Sequence, residues 1–521
     1  MRKLLILTHR YLGIVASALA VMWCLTGITM MYVGGMPRLT PDRRLASLPP
    51  VDLTRVTLTP AEAAARADYP DPPSATLLTV LDRPAYRFGN PDPITVFADT
   101  GEILDPIGPD TARRVAAALL EVPEGDIAFV ATIDENDQWT LGQIAPPLHK
   151  FRVADEDATE IYVSPIGADV VQMTTRRGRA LAWISTIPHW FYFTALRNNQ
   201  PVWYQLVVWA SAIVCAVALL GLVLAFTQFR RTKPFVLKAS IPYRGSMRWH
   251  YITGAVFGLF TLTFAFSGLL SMEPFGWTNA PDLRIDRHVF TGGPLQLAQF
   301  PAMDAAAWSR VMNGRVMKEV ELVRIQDEPY FVVHSTEQAG PDLKRERLHQ
   351  PYYITGRAEE QRMLVAATTL ERRTTPFAEA TLVSRLETAL PDVHVTESAL
   401  LTDYDSYYYS RNRQTPLPVL RVKLDDPAET WVYIDPAMSR ILSQVHRMSR
   451  VERWLYNGLH SLDFAFWYNR RPLWDVVMIV LLLGGLATSS IGLFLGVRRL
   501  RRTAARAIAD VTPSPQRAPS H

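Results

Sequence analysis

The chain alternates between long apolar runs and much longer segments of mixed polarity. Four predominantly apolar runs cover about 11–33, 202–228, 251–272 and 473–497. Each is close to the roughly 20 residues that an α-helix needs to cross the hydrocarbon core of a bilayer. The mixed segments combine short amphipathic helices with alternating strand patterns. The pattern predicts an α+β integral membrane protein with four transmembrane helices.

The chain also contains an internal repeat. His9, just before the first apolar run, and Gly27 within it reappear 241 positions later as His250, just before the third run, and Gly268 within it. A second series recurs 271 positions later without a gap. Its members are Trp183, His189, Phe193, Asn198, Pro201, Trp203, Gly221 and Arg230, which match Trp454, His460, Phe464, Asn469, Pro472, Trp474, Gly492 and Arg501. This agreement indicates two parallel copies of one module, composed of a helix, an extramembrane α+β domain and a second helix.

Basic residues mark one side of the predicted membrane helices. Arg2, Lys3, the connection after the second run and the tail after the fourth run are rich in Arg and Lys. Under the positive-inside rule these segments are cytoplasmic. We therefore expect a multi-pass protein of the bacterial inner membrane, with cytoplasmic termini and two large periplasmic domains.

The predicted division follows from these assignments. It is transmembrane helix 1 at 1–33, periplasmic domain 1 at 34–182, an interfacial segment with transmembrane helix 2 at 183–229, a basic cytoplasmic loop at 230–249, transmembrane helix 3 at 250–272, periplasmic domain 2 at 273–453, an interfacial segment with transmembrane helix 4 at 454–500, and a cytoplasmic tail at 501–521.

Composition removes several classes of function. The net charge of +4 reflects the cytoplasmic excess of basic residues and gives no reason to expect nucleic acid as a partner. Cys24 and Cys215 lie inside apolar runs, so the mixed segments contain no disulfide framework and no thiol nucleophile. No dinucleotide fingerprint, P-loop, GxSxG or HExxH sequence occurs. We therefore predict no catalytic acid, base or nucleophile, and no flavin or nicotinamide site.

Two equivalent histidines begin the outward-going helices. Parallel repeats bring equivalent positions together across an axis normal to the membrane, so His9 is expected to face His250. Two facing neutral imidazoles suit the axial positions of a haem iron and leave no site for dioxygen, which favours electron transfer. Gly13 and Gly254 follow one turn later and are predicted to leave space for the porphyrin. The alternative is a helix-packing stripe of small residues with an interfacial histidine.

A second equivalent pair lies on the outer side. His189 and His460 belong to aromatic stretches that are expected to lie at the outer interface, and the same symmetry predicts a second haem between them. Arg197, Arg470 and Arg471 are predicted to pair with haem propionates. The alternative is an ordinary aromatic belt with snorkelling arginines. A single haem, bound by only two of the four histidines, also remains open.

Several motifs resemble a known family. They are HRYLG at 9–13, VFADTGEIL at 96–104, VYIDP at 432–436 and LHSLDFAFWYNRRPLW at 459–474. With them the chain resembles the PepSY-associated transmembrane proteins, also called iron-regulated membrane proteins, over nearly its whole length. The resemblance implies PepSY-like folds for both periplasmic domains. Because better-studied members are haem-containing ferrisiderophore reductases, it also implies haem b at the histidines.

These inferences predict a membrane-bound ferric-siderophore reductase surrounded by membrane lipid. Electrons from a quinol or a cytoplasmic reductase are expected to cross two haems to a ferric siderophore or other iron chelate in the periplasm. Reduction of Fe3+ to Fe2+ weakens its attraction to anionic oxygen ligands, which releases the iron. One alternative is a haem-free module whose PepSY-like domains bind peptides or inhibit a protease. Another is a dihaem electron-transfer protein with a different periplasmic acceptor.

Overall fold

The computed structural model describes residues 2–511 apart from 90–92, 143, 233–235, 280–282, 337–360, 411–414 and 469. The chain divides into two units. One contains 1–32, 183–279 and 449–521, and the other contains 33–182 and 280–448. Each unit therefore takes residues from both copies of the sequence repeat.

The described α-helices are numbered in chain order. They are α1 Arg2–Val33, α2 Pro41–Ser47, α3 Pro60–Arg66, α4 Pro109–Leu120, α5 Arg176–Ile184, α6 Thr186–Trp190, α7 Thr194–Arg197, α8 Gln200–Gln228, α9 Leu237–Ser240, α10 Gly245–Leu270, α11 Arg287–Thr291, α12 Ala305–Met312, α13 Glu379–Thr388, α14 Arg447–Glu452, α15 Leu459–Ser461, α16 Ala465–Tyr468 and α17 Leu473–Val511. A π-helical turn, Arg453–Gly458, joins α14 to α15.

The described strands are numbered in the same way. They are β1 Ala75–Val80, β2 Arg83–Phe88, β3 Ile94–Phe97, β4 Ile127–Ile133, β5 Leu148–Val153, β6 Glu160–Ser164, β7 Asp169–Thr174, β8 Val316–Ile325, β9 Glu328–Thr336, β10 Gln361–Ala366, β11 Arg372–Arg373, β12 Val395–Leu401, β13 Val419–Leu424, β14 Trp431–Asp435 and β15 Arg440–Val445.

The first unit is built on four long apolar helices. In the described part of the chain, α1, α8, α10 and α17 are long and apolar enough to cross a membrane. α10 packs against both α8 and α17. Small residues permit this close approach, because a Cβ atom built on Gly484 of α17 would overlap the ring of Phe257 of α10. These four helices confirm the membrane part of the predicted architecture.

The start of α8 follows from its sequence. The Asn199 side chain accepts a hydrogen bond from the backbone amide of Val202, and Pro201 occupies the first turn. A proline there costs nothing, since its missing amide hydrogen would have no partner inside the helix. The apolar run then continues without charge to the end of the helix, as the hydrophobic pattern predicts.

The second unit contains antiparallel sheets. The described strands form a seven-stranded sheet in the order β11-β10-β9-β8-β1-β2-β3 and two four-stranded sheets, β4-β5-β6-β7 and β12-β13-β14-β15. β1 and β8 come from different copies of the repeat and pair with Ala75 opposite Leu322. The two segments that the sequence divides into separate domains therefore share one continuous sheet. With the membrane helices, this unit completes an α+β integral membrane protein.

The cores of the second unit follow the alternation of its strands. Trp308 and Phe331 lie in a core on one face of the seven-stranded sheet. α4 covers the sheet of β4 to β7 through Ala112 and Ala116, which contribute to a second core. α13 contributes Leu382 to a third core, which it shares with β13 and β14. Each copy thus builds the same arrangement of one helix on one four-stranded sheet.

Candidate cofactor site: two histidine pairs in the helical unit

His9 of α1 and His250 of α10 form the first pair, which we call the inner pair. Their ring centroids are 6.3 Å apart and the ring planes make an angle of 38°. His9 Nδ1 lies 3.1 Å from the carbonyl oxygen of Val217 on α8, and His250 Nδ1 lies 3.0 Å from that of Thr488 on α17. A carbonyl oxygen only accepts, so each Nδ1 carries a hydrogen and donates it. Val217 and Thr488 are themselves equivalent positions of the repeat, 271 apart.

His189 of α6 and His460 of α15 form the second pair, which we call the outer pair. Their centroids are also 6.3 Å apart, but the ring planes are nearly perpendicular, at 83°. His189 Nδ1 lies 2.8 Å from Thr26 Oγ1 of α1, and His460 Nδ1 lies 3.0 Å from Ser267 Oγ of α10. Thr26 and Ser267 are again equivalent positions, 241 apart. The repeat therefore reproduces the partner of each histidine as well as the histidine.

The hydroxyl groups of the outer pair contact backbone carbonyls as well as histidines. The Thr26 hydroxyl donates to the Met22 carbonyl at 2.8 Å, and the Ser267 hydroxyl donates to the Phe264 carbonyl at 3.0 Å. A hydroxyl that uses its hydrogen in this way accepts from the histidine Nδ1–H, which is also the hydrogen position that a neutral ring needs to bind a metal through Nε2. Burial, reinforced by the neighbouring His460, lowers the pKa of His189 to about 3, so this ring is neutral at neutral pH.

With the hydrogen on Nδ1, each of the four rings presents Nε2 as the nitrogen that can bind a metal when the ring is neutral. Metal-bound histidines commonly have this arrangement, in which the second ring nitrogen donates to a carbonyl or another acceptor and fixes the ring orientation. The chain holds each of the four rings ready to donate Nε2 electrons to a metal ion.

The distance within each pair fits one iron ion between two Nε2 atoms. A metal–imidazole bond of about 2.0 Å and about 1.1 Å from nitrogen to ring centre give about 6 Å between centroids. Both pairs measure 6.3 Å. Among the described residues, no group of three or more His, Cys, Asp and Glu could hold a metal ion. Haem supplies four equatorial nitrogens and needs two axial ligands, so the pairs fit haem better than zinc, which takes three or four protein ligands.

Glycines face the rings of the inner pair at very short range. A Cβ atom built on Gly221 of α8 would lie 3.0 Å from His9 Cε1, and one built on Gly492 of α17 would lie 3.0 Å from His250 Cε1. Such contacts are too close for an alanine unless the ring moves. Sequence reasoning did not assign these glycines a role, although both belong to the series that recurs after 271 positions.

The outer pair has looser glycine neighbours. Cβ atoms on Gly27 and Gly268 would lie 3.7 and 3.8 Å from Cε1 of His189 and His460, which is ordinary van der Waals contact. The two glycines that the sequence analysis did select face other helices instead. A Cβ on Gly13 would meet Val217 at 3.8 Å, and one on Gly254 would meet Thr488 at 3.6 Å. Their role in leaving space for a porphyrin stays a prediction.

Two short helices position the outer histidines. Phe191 directly follows α6 and Leu462 directly follows α15, and both residues adopt left-handed conformations with φ of 54° and 49°. Non-glycine residues in this region cost about 1 kcal/mol or more, so the surrounding packing must impose the turn. The turn occurs at equivalent positions, two residues after each histidine.

Tryptophans at the starts of α8 and α17 bind the residues that follow these histidines. Trp203 Nε1 donates to the carbonyl of Trp190 at 2.8 Å, and Trp474 Nε1 donates to the carbonyl of Ser461 at 3.0 Å. Trp190 and Ser461 directly follow the two ligand candidates in the chain. The tryptophans therefore connect the outer pair to the membrane helices.

The predicted arginines lie around these tryptophans. The guanidinium carbon of Arg197 is 4.5 Å from the centroid of Trp203, and that of Arg471 is 4.1 Å from the centroid of Trp474. Arg471 also forms an ion pair with Asp475. Arg470 is exposed. Two of the three arginines thus stack on the tryptophans that contact the outer-pair segments. The pairing of the arginines with haem propionates stays a prediction.

The two pairs lie toward opposite ends of the helices. Thr26, which contacts the outer pair, is 17 positions after His9 on α1, and Ser267 is 17 positions after His250 on α10. At 1.5 Å per residue this separates the two sites by about 25 Å along each helix. The hydrocarbon core of a bilayer is about 30 Å thick.

Comparison with known families agrees with this architecture. The family described as the PepSY-associated TM region matches residues 6–308. The match covers more than half of the 521 residues, and the chain belongs to this family. No curated protein matches the chain.

Proposed function

We propose that this member of the PepSY-associated transmembrane family is an inner-membrane oxidoreductase. It holds two haems b between its histidine pairs and passes electrons to a ferric siderophore or other iron chelate in the periplasm. The observation that carries the proposal is the pair of equivalent imidazole sites, each with 6.3 Å between centroids and Nδ1 hydrogen-bonded. Haem held by the two histidines of a pair would supply one-electron exchange rather than dioxygen binding.

The protein residues supply orientation and insulation. Hydrogen bonds from Nδ1 keep each Nε2 directed at the metal position. The four helices are apolar over the length that separates the sites, which disfavours water there. The two sites lie about 25 Å apart along α1, and the hydrocarbon core is about 30 Å thick. No single electron transfer therefore has to span the whole core.

The orientation of the two sites in the membrane is inferred from charge. Arg2 Nη2 lies 2.7 Å from Gln228 Oε1, so the start of α1 and the end of α8 are at the same end of the bundle. The basic residues after α8 and along the last part of α17 belong to this end and favour the cytoplasm. A haem held by the inner pair would then accept electrons from a quinol or a cytoplasmic reductase, and the outer pair would face the periplasm.

The reaction at the outer side is a one-electron transfer. One electron from the outer site reduces chelated Fe3+ to Fe2+, and no covalent bond to the chelator has to break. The lower charge weakens attraction to anionic oxygen ligands, so the iron dissociates more readily. A protein acid or base is not required for this step.

The test begins with detergent-purified protein from cells supplied with haem. A pyridine haemochrome assay is expected to give about two haems b per chain, with sharp α and β bands after reduction. Reduced protein is then mixed under nitrogen with a ferric hydroxamate or ferric catecholate, together with a colour reagent for Fe2+. We expect one Fe2+ for each electron lost from the protein.

Each other outcome identifies a different failure. Colourless protein would reject the proposal and favour a haem-free module. Protein that contains haem but transfers no electrons to any iron chelate would reject the reductase function and favour another acceptor. Free haem in the same detergent serves as the control for nonspecific reduction.

A further inference from the structure

We infer that Thr26 and Ser267 are positioning residues that set the reduction potential of the outer site independently of the inner site. The inference rests on the proposed haem binding and deepens it. It assigns a role to two side chains that do not touch the iron. Both act through the histidine whose Nδ1–H they accept.

The geometry gives each hydroxyl a histidine partner and a carbonyl partner. Thr26 Oγ1 lies 2.8 Å from His189 Nδ1 and 2.8 Å from the carbonyl oxygen of Met22, with the Trp23 carbonyl oxygen further away at 3.3 Å. Ser267 Oγ lies 3.0 Å from His460 Nδ1 and 3.0 Å from the carbonyl oxygen of Phe264. Thr26 is 6% exposed and Ser267 is fully buried, so bulk water does not compete for these contacts.

The chemistry predicts the direction of the effect. An acceptor on Nδ1–H increases the electron density on Nε2 and makes it a stronger ligand. A hydroxyl that donates its own hydrogen to a carbonyl is polarised and accepts more strongly. A stronger ligand stabilises Fe3+ more than Fe2+, because Fe3+ has the higher charge. The two hydroxyl groups therefore lower the potential of the outer site.

The inner pair has no counterpart to this control. Its Nδ1 atoms donate to the backbone carbonyls of Val217 and Thr488, which no side-chain substitution removes. Only at the outer site can a single substitution change the acceptor. Two hydroxyl residues occur there at equivalent positions, so the sequence retains this acceptor on both ligands.

The experiment compares midpoint potentials of the two sites in the full-length protein. Thr26→Val removes the hydroxyl but keeps the branched shape, and Ser267→Ala removes the other hydroxyl with little change in volume. Potentials are measured by optical redox titration in detergent, and His189→Ala identifies which wave belongs to the outer site. Both variants are expected to raise the outer midpoint, and the double variant is expected to raise it further. The inner midpoint is expected to stay unchanged.

Two controls separate hydrogen bonding from packing. Thr26→Ser keeps the hydroxyl and is expected to keep the wild-type potential. Thr29→Val removes a hydroxyl from the same helix that donates to Leu25 at 3.1 Å, and it is expected to change neither midpoint. If Thr26→Val loses the outer haem, the inference is decided by the outer midpoints of the other two variants. Ser267→Ala is expected to raise this midpoint, and Thr26→Ser is expected to leave it unchanged.

The failures are distinguishable. Two bound haems with an unchanged outer midpoint in Thr26→Val and Ser267→Ala would overturn this inference and leave the proposed function standing. Equal shifts at both sites would overturn it as well, because they would indicate a general change in packing. Wild-type protein without haem would overturn the proposed function and this inference with it.

Discussion

The inner and outer histidine pairs have the same ring separation but are built differently. Both pairs measure 6.3 Å between centroids. The inner rings project from long membrane helices, donate to backbone carbonyls and lie against close glycines. The outer rings project from short helices, donate to side-chain hydroxyls and have looser neighbours. The histidines of the inner pair are therefore oriented by backbone carbonyls, and those of the outer pair by side-chain hydroxyl groups that a substitution can remove.

This difference has physical consequences. A ring held by a helix carbonyl tolerates little change in its surroundings when a Cβ atom built on the facing glycine would lie only 3.0 Å away. A ring whose Nδ1 is bound to a hydroxyl can keep its position when the hydroxyl residue is substituted. The electron density on its Nε2 is then expected to change. We expect the inner site to be sensitive to added volume and the outer site to be sensitive to altered hydrogen bonding or charge.

The largest expected effect is the loss of a whole site. His9→Ala or His250→Ala is expected to reduce haem from about two to about one per chain and leave the outer site, because each iron needs both axial ligands. His189→Ala or His460→Ala is expected to remove the other haem. Haemochrome counts and redox titration distinguish the two results.

The matched control is His394→Ala, since His394 is exposed and belongs to the sheet unit. It is expected to retain both haems. Equal loss from all four ligand variants would contradict independent sites and indicate one shared haem or a collapsed bundle.

The sequence was sufficient to predict which histidines lie next to each other, because equivalent positions of a parallel repeat meet across its axis, and the rings of each pair are 6.3 Å apart. Their role as haem ligands stays a prediction. The sequence was not sufficient to predict the neighbours of these histidines. Gly221 and Gly492 approach the rings from different helices, so their role depends on interhelical register. The sequence nevertheless contained an indication of their importance, since Gly221 and Gly492 are equivalent positions in the series that recurs after 271 residues. Thr26 and Ser267 recur in the 241-residue match, but only the structure relates them to histidines in another part of the chain.

The fold was predictable to a similar extent. Membrane helices follow directly from apolar length, and the structure confirms them. The pairing of β1 with β8 joins strands about 240 positions apart, and no local pattern specifies such a partner. α10 begins at Gly245, earlier than the apolar run, and α17 continues to Val511 through a segment rich in Arg and Ala. These residues favour helix even where the membrane signal ends.

The second prediction tests the sensitivity of the inner site to volume. Gly221→Ala or Gly492→Ala is expected to displace the facing ring, at a cost of about 1–3 kcal/mol, and to lower inner haem occupancy. Gly27→Ala is expected to leave the outer haem bound, since its Cβ would be 3.7 Å from His189. Haem content and visible spectra of purified variants measure the difference.

Gly13→Ala is the matched control for the inner site. Gly13 is on the same helix as His9, and a Cβ atom built on it would lie at an ordinary 3.8 Å from the Val217 side chain. Equal haem loss from Gly13→Ala and Gly221→Ala would show that any added methyl group disturbs the bundle, which would remove the proposed difference between the pairs.

The third prediction concerns the angle between ligand planes. At 83°, the outer rings leave the two iron d orbitals that interact with imidazole nearly equal in energy, and we expect a low-spin ferric signal with large g anisotropy. At 38°, the inner rings separate these orbitals more and are expected to give a smaller anisotropy. Electron paramagnetic resonance of frozen oxidised protein measures both signals. Persistence of the more anisotropic signal in His189→Ala would contradict the assignment.

The smallest expected effect comes from charge beside the outer pair. Arg471→Gln removes a cation that stacks on Trp474 and pairs with Asp475. A nearby cation disfavours Fe3+ relative to Fe2+, so its removal is expected to lower the outer midpoint, opposite in sign to Thr26→Val. The shift should be small and should decrease with added salt, because the arginine is solvent-accessible. Redox titrations at low and high ionic strength measure it.

Arg502→Gln provides the control at the far end of α17. Arg502 is exposed and lies 29 positions after Leu473, the first residue of α17, so it is about 44 Å along the helix axis from the end next to Arg471. At that distance, several screening lengths away, its charge should not affect the outer midpoint. If both variants shift the outer midpoint equally, the effect reflects total protein charge. If only Arg471→Gln does, the outer site responds to local side chains, as its hydrogen bonding already suggests.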